Sequence, residues 1–161
     1  MSQLKLISYP NKSLSTPAIP FDFSSPPVDP HELEADLIEV MLEHNGIGLA
    51  SNQVNVPYSV FVLGTAQSAM AVFNPIIISK SHDTISDFEG CLSFPGIKLL
   101  ISRPVSIEVE YYNSNGEKFE QELFDMDCRV FCHEMDHLLG VTFKDLVSDF
   151  KWNLAKKRKI G

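Results

Sequence analysis

The clearest chemistry in the chain is offered by the segment His133-Glu134-Met135-Asp136-His137. Residues four apart on a helix lie on one face, one turn apart, so the two imidazoles can hold a single metal ion. The glutamate between them then lies beside the ion, where it can take a proton from a coordinated water. This spacing predicts a metal-dependent hydrolytic site, with Glu134 as its general acid–base group.

A catalytic metal site of this type needs a third protein ligand and one position left open for water. Only 24 residues follow His137, and they contain no histidine and no glutamate, only Asp145 and Asp149. The third ligand is therefore expected upstream of the helix. The residues that could supply it are Cys91, Cys128, Cys132, His31, His44 and His82.

Cys91 is the predicted third ligand. It lies in the segment 89–96 (EGCLSFPG), where two glycines and a proline predict a tight turn that brings backbone close to a ligand. Cys132 would point about 100° away from His133 around a helix, and Cys128 shares the face of Cys132. We expect these two residues to be small buried thiols, and His44 and His82 to be ordinary surface or hydrogen-bonded histidines.

Three segments in order and at fitting spacing resemble the peptide deformylase family: 46–53 (GIGLASNQ), 89–93 (EGCLS) and 133–137 (HEMDH). The opening 6–10 (LISYP) and the pair Arg103-Pro104 are also similar to family features, so the resemblance covers nearly the whole chain. The chain departs from the family pattern at Ser51, usually alanine, at Cys132, usually glutamine, and at Ser15, usually arginine. None of these three positions is a predicted metal ligand.

The resemblance implies removal of the formyl group from N-formylmethionyl nascent peptides, with release of formate. Cys91, His133 and His137 would hold one divalent ion with a water molecule in the fourth position. Fe(II) is implied as the native metal, and zinc, nickel or cobalt would be able to replace it. The resemblance also implies that the Gln53 side-chain amide and the Leu92 backbone N–H stabilise the oxyanion.

The substrate peptide is expected to lie extended beside the metal. Gly46, Ile47 and Gly48 carry little side chain, so their backbone can pair with the peptide as an added strand, and Gly90 lets backbone approach next to Cys91. Met126 and Val130 precede His133 by seven and three residues on its helix face. With Ile47 and Leu92 they are the candidates for the methionine pocket, plain core packing being the alternative for Met126 and Val130. Arg129 is expected at the rim, where it would meet the peptide backbone or an acid.

An α+β fold would position these residues: mostly antiparallel strands packed around a central metal-binding helix, with a helix near each end of the chain. Asp29-Pro30 predicts the start of a first helix that runs to about His44 and ends at Gly46. Strands are predicted over 58–63, 76–79, 105–112 and 117–124, the last two joined by a turn at 113–116. Asp125 or Asp127 would cap the metal-binding helix, which would run to about Leu139 and close at Gly140, and Ser148 would cap a third helix.

The 161 residues predict a single catalytic domain. Six of the ten prolines fall in the first 30 residues, so 1–28 is predicted to be an extended arm laid over the body, and 148–161 a basic C-terminal helix. With 44 % apolar and 21 % charged residues, the composition excludes disordered, collagen-like and coiled-coil proteins. No apolar run is long enough to span a membrane. The three cysteines, without a secretory signal, favour a reducing compartment: the cytoplasm, with an organellar matrix left open.

The net charge of −8 argues against DNA binding or a general nucleic-acid coat. However, residues 151–161 carry +5 and no acid, while the rest of the chain carries −13. This asymmetry predicts a local docking patch for an anionic partner, which the resemblance implies is the ribosome; a solvated helix end is the alternative.

Two other functions remain open at this stage. The chain could be a metallopeptidase that cleaves internal peptide bonds, although the missing downstream ligand argues against it. It could also be a non-catalytic binding protein with a structural metal, although such a site needs four filled ligand positions and only three protein ligands can be named.

Overall fold

The computed structural model describes residues 3–159, which form two antiparallel sheets and three α-helices. The larger sheet has the order β1-β2-β3-β6-β7, formed by Gly48–Ala50, Val60–Gly64, Ala69–Lys80, Ser106–Tyr112 and Lys118–Phe124. The smaller sheet pairs β4 (Thr84–Cys91) with β5 (Phe94–Pro104). The helices are α1 (Pro30–Glu43), α2 (Asp125–Leu138) and α3 (Asp149–Lys157). The predicted α+β class is thus confirmed.

Four residues of the predicted arm and basic helix lie outside the described residues: Met1, Ser2, Ile160 and Gly161. Within 3–159, the helices lack the combination of length and apolar character that crossing a bilayer requires.

Helix α1 begins as predicted, because the Asp29 side chain accepts hydrogen bonds from the backbone N–H groups of His31 and Glu32. The helix ends where predicted, with His44 as its C-cap, but the predicted terminator is wrong. The left-handed residue that breaks the helix is Asn45, at φ 57°, and not Gly46. The glycine at position 46 has another role, because it lets the backbone pass close to Leu92. A Cβ there would lie 2.7 Å from Cδ1 of Leu92.

Helix α2 follows β7 without a linker, and this overturns the predicted caps. Phe124 is the N-cap and makes no side-chain capping bond, while Asp125 turns the chain with a left-handed φ of 52°. Asp125 and Asp127 both lie in the first turn, where their negative charges interact favourably with the helix dipole and stabilise the helix. The other end is as predicted: Gly140 has φ 78° and its N–H donates to the carbonyl of His137.

The strands match the sequence prediction unevenly. The hairpin of β6 and β7 is confirmed, whereas β3 extends far beyond the predicted 76–79. For the β4–β5 hairpin, the sequence predicted the turn around Cys91 but neither of the two strands. Most side chains of β4 are exposed, so its sequence lacks the alternation of apolar and polar residues by which a half-buried strand is predicted.

The metal-binding helix is held against the larger sheet by apolar packing. Phe131 is buried and meets the ring of Phe61 edge-to-face at 5.0 Å. Cys128 and Cys132 are buried in the same cluster, as predicted for small thiols. A separate cluster joins β5 to α3 through the buried ring of Trp152, which meets Phe94 at 5.8 Å.

The predicted arm is tied to the first two sequence motifs by backbone hydrogen bonds. The N–H of Ile7 donates to the carbonyl of Gln53 at 2.7 Å, and the N–H of Tyr9 donates to the carbonyl of Ser93 at 2.8 Å. The Tyr9 ring also stacks on Phe94. The arm therefore helps to hold the loops that carry Gln53 and Cys91.

Replacing Phe131 with alanine should lower the free energy of unfolding by about 3–5 kcal/mol, because it leaves a cavity between α2 and the sheet. Phe150→Ala is the matched control, since this ring is 76 % exposed, and it should change the stability by less than ~0.5 kcal/mol. Urea unfolding followed by circular dichroism measures both variants. Equal stability of the two would contradict the packing described for α2.

Candidate metal centre

Cys91, His133 and His137 come together at one point. One sulfur and two imidazole nitrogens lie within 4.8 Å of one another. The end of β4 brings the thiol, and one face of α2 brings both imidazoles. In the part of the chain that the structure describes, no other group of three or more His, Cys, Asp or Glu side chains has this arrangement, so His31, His44, His82, Cys128 and Cys132 stand apart from it.

The separation of Cys91 and His137 fits two ligands of a tetrahedral metal ion. The sulfur of Cys91 lies 3.4 Å from Nε2 of His137. Bond lengths of about 2.3 Å to sulfur and 2.1 Å to nitrogen would separate two tetrahedral ligands by roughly 3.6 Å. Burial alone would lower the pKa of His133, but hydrogen bonds to Cys91 and Glu89 raise it well above the usual value. Surroundings that favour a positive charge in this way suit a bound cation.

Glu89 orients the first histidine. Its Oε1 lies 2.8 Å from Nδ1 of His133. Burial would raise the pKa of Glu89, yet hydrogen bonds from Arg103 and His133 lower it to about 2. The ionised carboxylate can only accept, so Nδ1 of His133 carries a proton, and Nε2 is the nitrogen that is left to bind a metal ion, which would displace its proton. Sequence reasoning missed this role of Glu89.

Two arginines compensate the buried charge of Glu89. Arg103 donates to both of its carboxylate oxygens at 2.9 Å and also to Asp136 at 2.6 Å. Arg129 donates to Glu89 at 2.7 Å and to the backbone carbonyls of Ile101 and Ile85. The predicted position of Arg129 at the rim is wrong, because its side chain is buried. It lies inside because the buried carboxylate of Glu89 needs a positive partner, and leaving that carboxylate unpaired would be far more costly than forming this ion pair. The acid that Arg129 meets belongs to the protein itself.

His137 has fewer hydrogen-bond partners than His133: among the described residues, its buried Nδ1 has none. Burial lowers its pKa well below the usual value, so the ring is neutral and able to act as a ligand. Its backbone carbonyl accepts a hydrogen bond from the side-chain amide of Asn52. This bond joins the end of α2 to the first sequence motif.

Glu134 is buried and its Oε1 has no hydrogen-bond partner among the described residues. Burial raises the pKa of this carboxyl to about 7. A Cβ at Gly48 would lie 2.5 Å from Oε2 of Glu134, so any larger residue at that position would force the carboxylate to move. The result is a carboxyl group suited to gaining and losing a proton near neutral pH.

Gln53 is buried with both ends of its amide engaged. Its Oε1 accepts from the N–H of Ala50 at 2.9 Å, and its Nε2 donates to Oγ of Ser93 at 3.0 Å. The same Nε2 lies 3.6 Å from the sulfur of Cys91. The amide nitrogen is thereby held beside the proposed metal ligands. The Ser93 contact was missed from the sequence, although Ser93 lies in the same motif as Cys91.

A cavity of about 620 Å³ opens beside these residues. Met126 and Ile47 line it with side chains that are 55 % and 53 % exposed, so they lie at its mouth, while Val130 is partly buried. Every residue predicted from the sequence for catalysis or substrate binding borders this cavity: Gly46, Ile47, Gly48, Gln53, Gly90, Leu92, Met126, Val130 and Glu134. Of the three proposed metal ligands, Cys91 and His133 also line it.

Comparison with known proteins agrees with this geometry. A family profile described as polypeptide deformylase matches residues 3–153. Peptide deformylase of Neisseria gonorrhoeae is 37 % identical over 161 residues, covering 98 % of this chain and 95 % of its own.

Solved structures give the same result. The structure of peptide deformylase from Thermotoga maritima superimposes with a TM-score of 0.86 at 34 % identity, over 92 % of this chain and 99 % of that one. Peptide deformylase from Synechococcus elongatus, solved with actinonin, reaches 0.90 at 30 % identity over 99 % and 87 %. With a matching profile over nearly its full length and relatives that share its fold, the chain belongs to the peptide deformylase family.

Proposed function

We propose that this chain hydrolyses the formyl amide of N-formylmethionyl nascent peptides at the site formed by Cys91, His133 and His137. The C–N bond of the amide breaks, the formyl carbon gains the oxygen of water and leaves as formate, and the peptide keeps a free amino group. The observation that carries this proposal is a cluster of three metal-ligating side chains, two of which line the same cavity as Glu134, a buried carboxyl whose Oε1 has no hydrogen-bond partner among residues 3–159.

Cys91, His133 and His137 would hold one divalent ion. When bound, such an ion polarises a carbonyl and lowers the pKa of a coordinated water. One thiolate and two imidazoles suit zinc and the neighbouring divalent metals. We assign Fe(II) as the native metal on the basis of the family resemblance, with zinc, nickel and cobalt as replacements.

Glu134 would move the proton in both halves of the reaction. Its carboxylate takes a proton from the attacking water and then delivers it to the nitrogen of the leaving amine. Burial, which raises the pKa of Glu134 to about 7, supports this role because both protonation states are then accessible near neutral pH.

Gln53 and Leu92 would stabilise the oxyanion that forms from the formyl carbonyl. The Gln53 amide is held at both ends, because its Oε1 accepts from the N–H of Ala50 and its Nε2 donates to Ser93, so little reorganisation is needed when charge develops. The backbone N–H of Leu92, next to Cys91, would supply the second donor. Loss of one such donor typically costs roughly 3–4 kcal/mol in the transition state.

The peptide would lie extended between two strand edges. β1 is an edge strand of its sheet, and within residues 3–159 β4 pairs only with β5. The cavity is bordered by Gly46, Ile47 and Gly48 on one side and by Gly90 and Cys91 on the other. We propose that the backbone of these residues pairs with the peptide as an added strand. The methionine side chain would then enter between Val130, Leu92, Ile47 and Met126.

The basic helix α3 would dock on the phosphates of ribosomal RNA, where nascent peptides emerge. Trp152 anchors the helix to β5, while Lys157, Arg158 and Lys159 are exposed. We place the protein in the cytoplasm, or in an organellar matrix with its own ribosomes, because formylated nascent chains arise there.

Replacing Glu134 with glutamine should keep the metal and abolish turnover. The amide is nearly isosteric but cannot accept the proton, so kcat should fall by at least ~10²–10⁴. A formyl-Met-Ala amide assay with formate detection, together with metal analysis of the same sample, measures both properties. The control is Glu120→Gln, an exposed carboxylate on β7. Full metal occupancy with near-normal turnover would exclude Glu134 as the general base.

Replacing Cys91 with serine should cause loss of the metal, because a neutral hydroxyl is a far poorer ligand than a thiolate. Cys128→Ser and Cys132→Ser are matched controls on α2 and should keep one metal per chain. Thermal unfolding shows which variants remain folded, since buried thiols also contribute to packing. If Cys91→Ser kept its metal and either control lost it, another sulfur would be the ligand.

Replacing Lys157, Arg158 and Lys159 together with glutamate should abolish salt-sensitive co-sedimentation with ribosomes. Binding through phosphates releases counterions and is therefore strongly salt-dependent. Turnover of a short formylated peptide should stay within a few-fold of the parent. The control reverses three exposed lysines elsewhere: Lys5, Lys12 and Lys80. If the triple variant still bound ribosomes like the parent at low salt, docking through α3 would be excluded. The basic residues would then be only a solvated helix end.

A further inference from the structure

Two buried polar atoms near the end of α2 have no hydrogen-bond partner. Within residues 3–159, three buried side-chain atoms lack one: Oδ1 of Asn52, Oε1 of Glu134 and Nδ1 of His137. Glu134 borders the catalytic cavity, where an arriving substrate can meet it. Asn52 and His137 are also buried, but neither of them lines that cavity. Their two unpaired atoms therefore need a partner from within the protein.

The two atoms are chemically complementary. Oδ1 of an asparagine can only accept a hydrogen bond. In His137, Nε2 is the nitrogen that lies 3.4 Å from the sulfur of Cys91, so it is the nitrogen placed to bind a metal ion. The single proton of the neutral ring is then on Nδ1, which becomes a donor. One unpaired acceptor and one unpaired donor thus belong to the same small region.

The two residues are already in contact. Nδ2 of Asn52 donates to the backbone carbonyl of His137. Asn52 is itself held in place, because its backbone carbonyl accepts from Oγ of Ser13 at 2.6 Å. The amide oxygen and Nδ1 of the imidazole are not hydrogen-bonded to each other in the structure. A small rotation of the ring, or one bridging water, would complete that contact.

An asparagine at this position is costly unless its oxygen finds a partner. A buried acceptor left unpaired typically costs about 1–3 kcal/mol. The other imidazole of the cluster shows what such a partner does, since Glu89 accepts from Nδ1 of His133 and fixes the orientation of that ring. His137 lacks an equivalent carboxylate among its hydrogen-bond partners in the described residues, and Asn52 is the neighbour that offers a free oxygen.

We propose that Asn52 is a positioning residue for His137. Its amide oxygen accepts the Nδ1 proton and thereby holds the ring with Nε2 directed at the metal position, while its amide nitrogen binds the carbonyl of the same residue. This inference rests on the metal site of the proposed function. The competing interpretation is that Asn52 only ties the 3-10 turn Ser51–Val54 to α2 through its amide nitrogen.

Two substitutions at Asn52 separate these interpretations. Asn52→Ala removes both hydrogen bonds and should weaken zinc binding about 10–100-fold, measured by reloading the metal-free protein against a competing chelator. Asn52→Asp loses the donor to the carbonyl but keeps an oxygen for Nδ1, so its zinc affinity should stay within about threefold of the parent. If Asn52 served only as a tie, Asn52→Asp would bind zinc as weakly as Asn52→Ala.

Ser51→Ala is the matched control. It removes a buried hydrogen bond of the neighbouring residue, from Oγ of Ser51 to the carbonyl of Tyr58, without touching His137. Its zinc affinity should stay within about twofold of the parent, even if thermal unfolding shows a loss of stability. Equal loss of zinc affinity in Ser51→Ala and Asn52→Ala would assign the effect to general loosening of the turn.

The parent protein offers a measurement that does not depend on any variant. In its zinc-loaded form, nitrogen–proton NMR of the imidazoles should show both rings protonated at Nδ1, with the His137 proton protected from exchange like that of His133. Asn52→Asp should move the His137 proton resonance downfield, because a carboxylate is a stronger acceptor, and leave that of His133 in place. A His137 ring protonated at Nε2 would overturn the proposal.

Release of formate from formyl-Met-Ala amide by the parent protein is measured in parallel. A parent that turns over the peptide while Asn52→Ala binds zinc normally would exclude the role of Asn52 and leave the proposed function intact. A parent that binds zinc as described but releases no formate would exclude the proposed function, and the zinc affinities would still decide the role of Asn52.

Discussion

The site depends above all on the buried carboxylate of Glu89. It accepts hydrogen bonds from Arg103, Arg129 and His133, and it thereby joins β4, β5 and α2 at one point. Taking this charge out of water is unfavourable unless it is fully paired, so the two guanidinium groups are part of the requirement. Because the carboxylate stays ionised, it fixes which nitrogen of His133 carries the proton. The orientation of the first proposed metal ligand is thus set by a residue that does not itself belong to the ligand cluster.

Close backbone approach is the second constraint, and it explains why the first motif is rich in glycine. Gly48 passes so near the Glu134 carboxylate that even a methyl group would collide with it, and Gly46 stands in the same relation to Leu92. Gln53 is then held from two sides, by Ala50 and by a serine of the second motif. The three motifs are therefore not independent contributions to the site. Each one fixes the position of a group that another one carries.

Much of this arrangement could be predicted from the sequence, because the chemistry-bearing residues fall at spacings with few interpretations. The i, i+4 histidines, the turn around Cys91 and the α+β class required only helix geometry, turn composition and the order of elements. Strand β4 could not be predicted, since most of its side chains are exposed and its sequence lacks an alternation of apolar and polar residues. Arg129 was predicted at the rim because charged side chains usually lie at the surface. The sequence around Arg129 does not show that the carboxylate of Glu89, on a distant strand, is its partner. The N-cap of α2 was predicted wrongly because the helix starts directly from a strand.

We propose that one thiolate and two imidazoles hold the metal of an active deformylase. The decisive measurement is X-ray absorption at the metal edge of the purified protein, in a sample shown to release formate from formyl-Met-Ala amide. If the metal is zinc, the spectrum should show one sulfur scatterer at about 2.3 Å and two imidazole nitrogens at about 2.0–2.1 Å. A first shell with two sulfurs, or with none, in the active protein would contradict it.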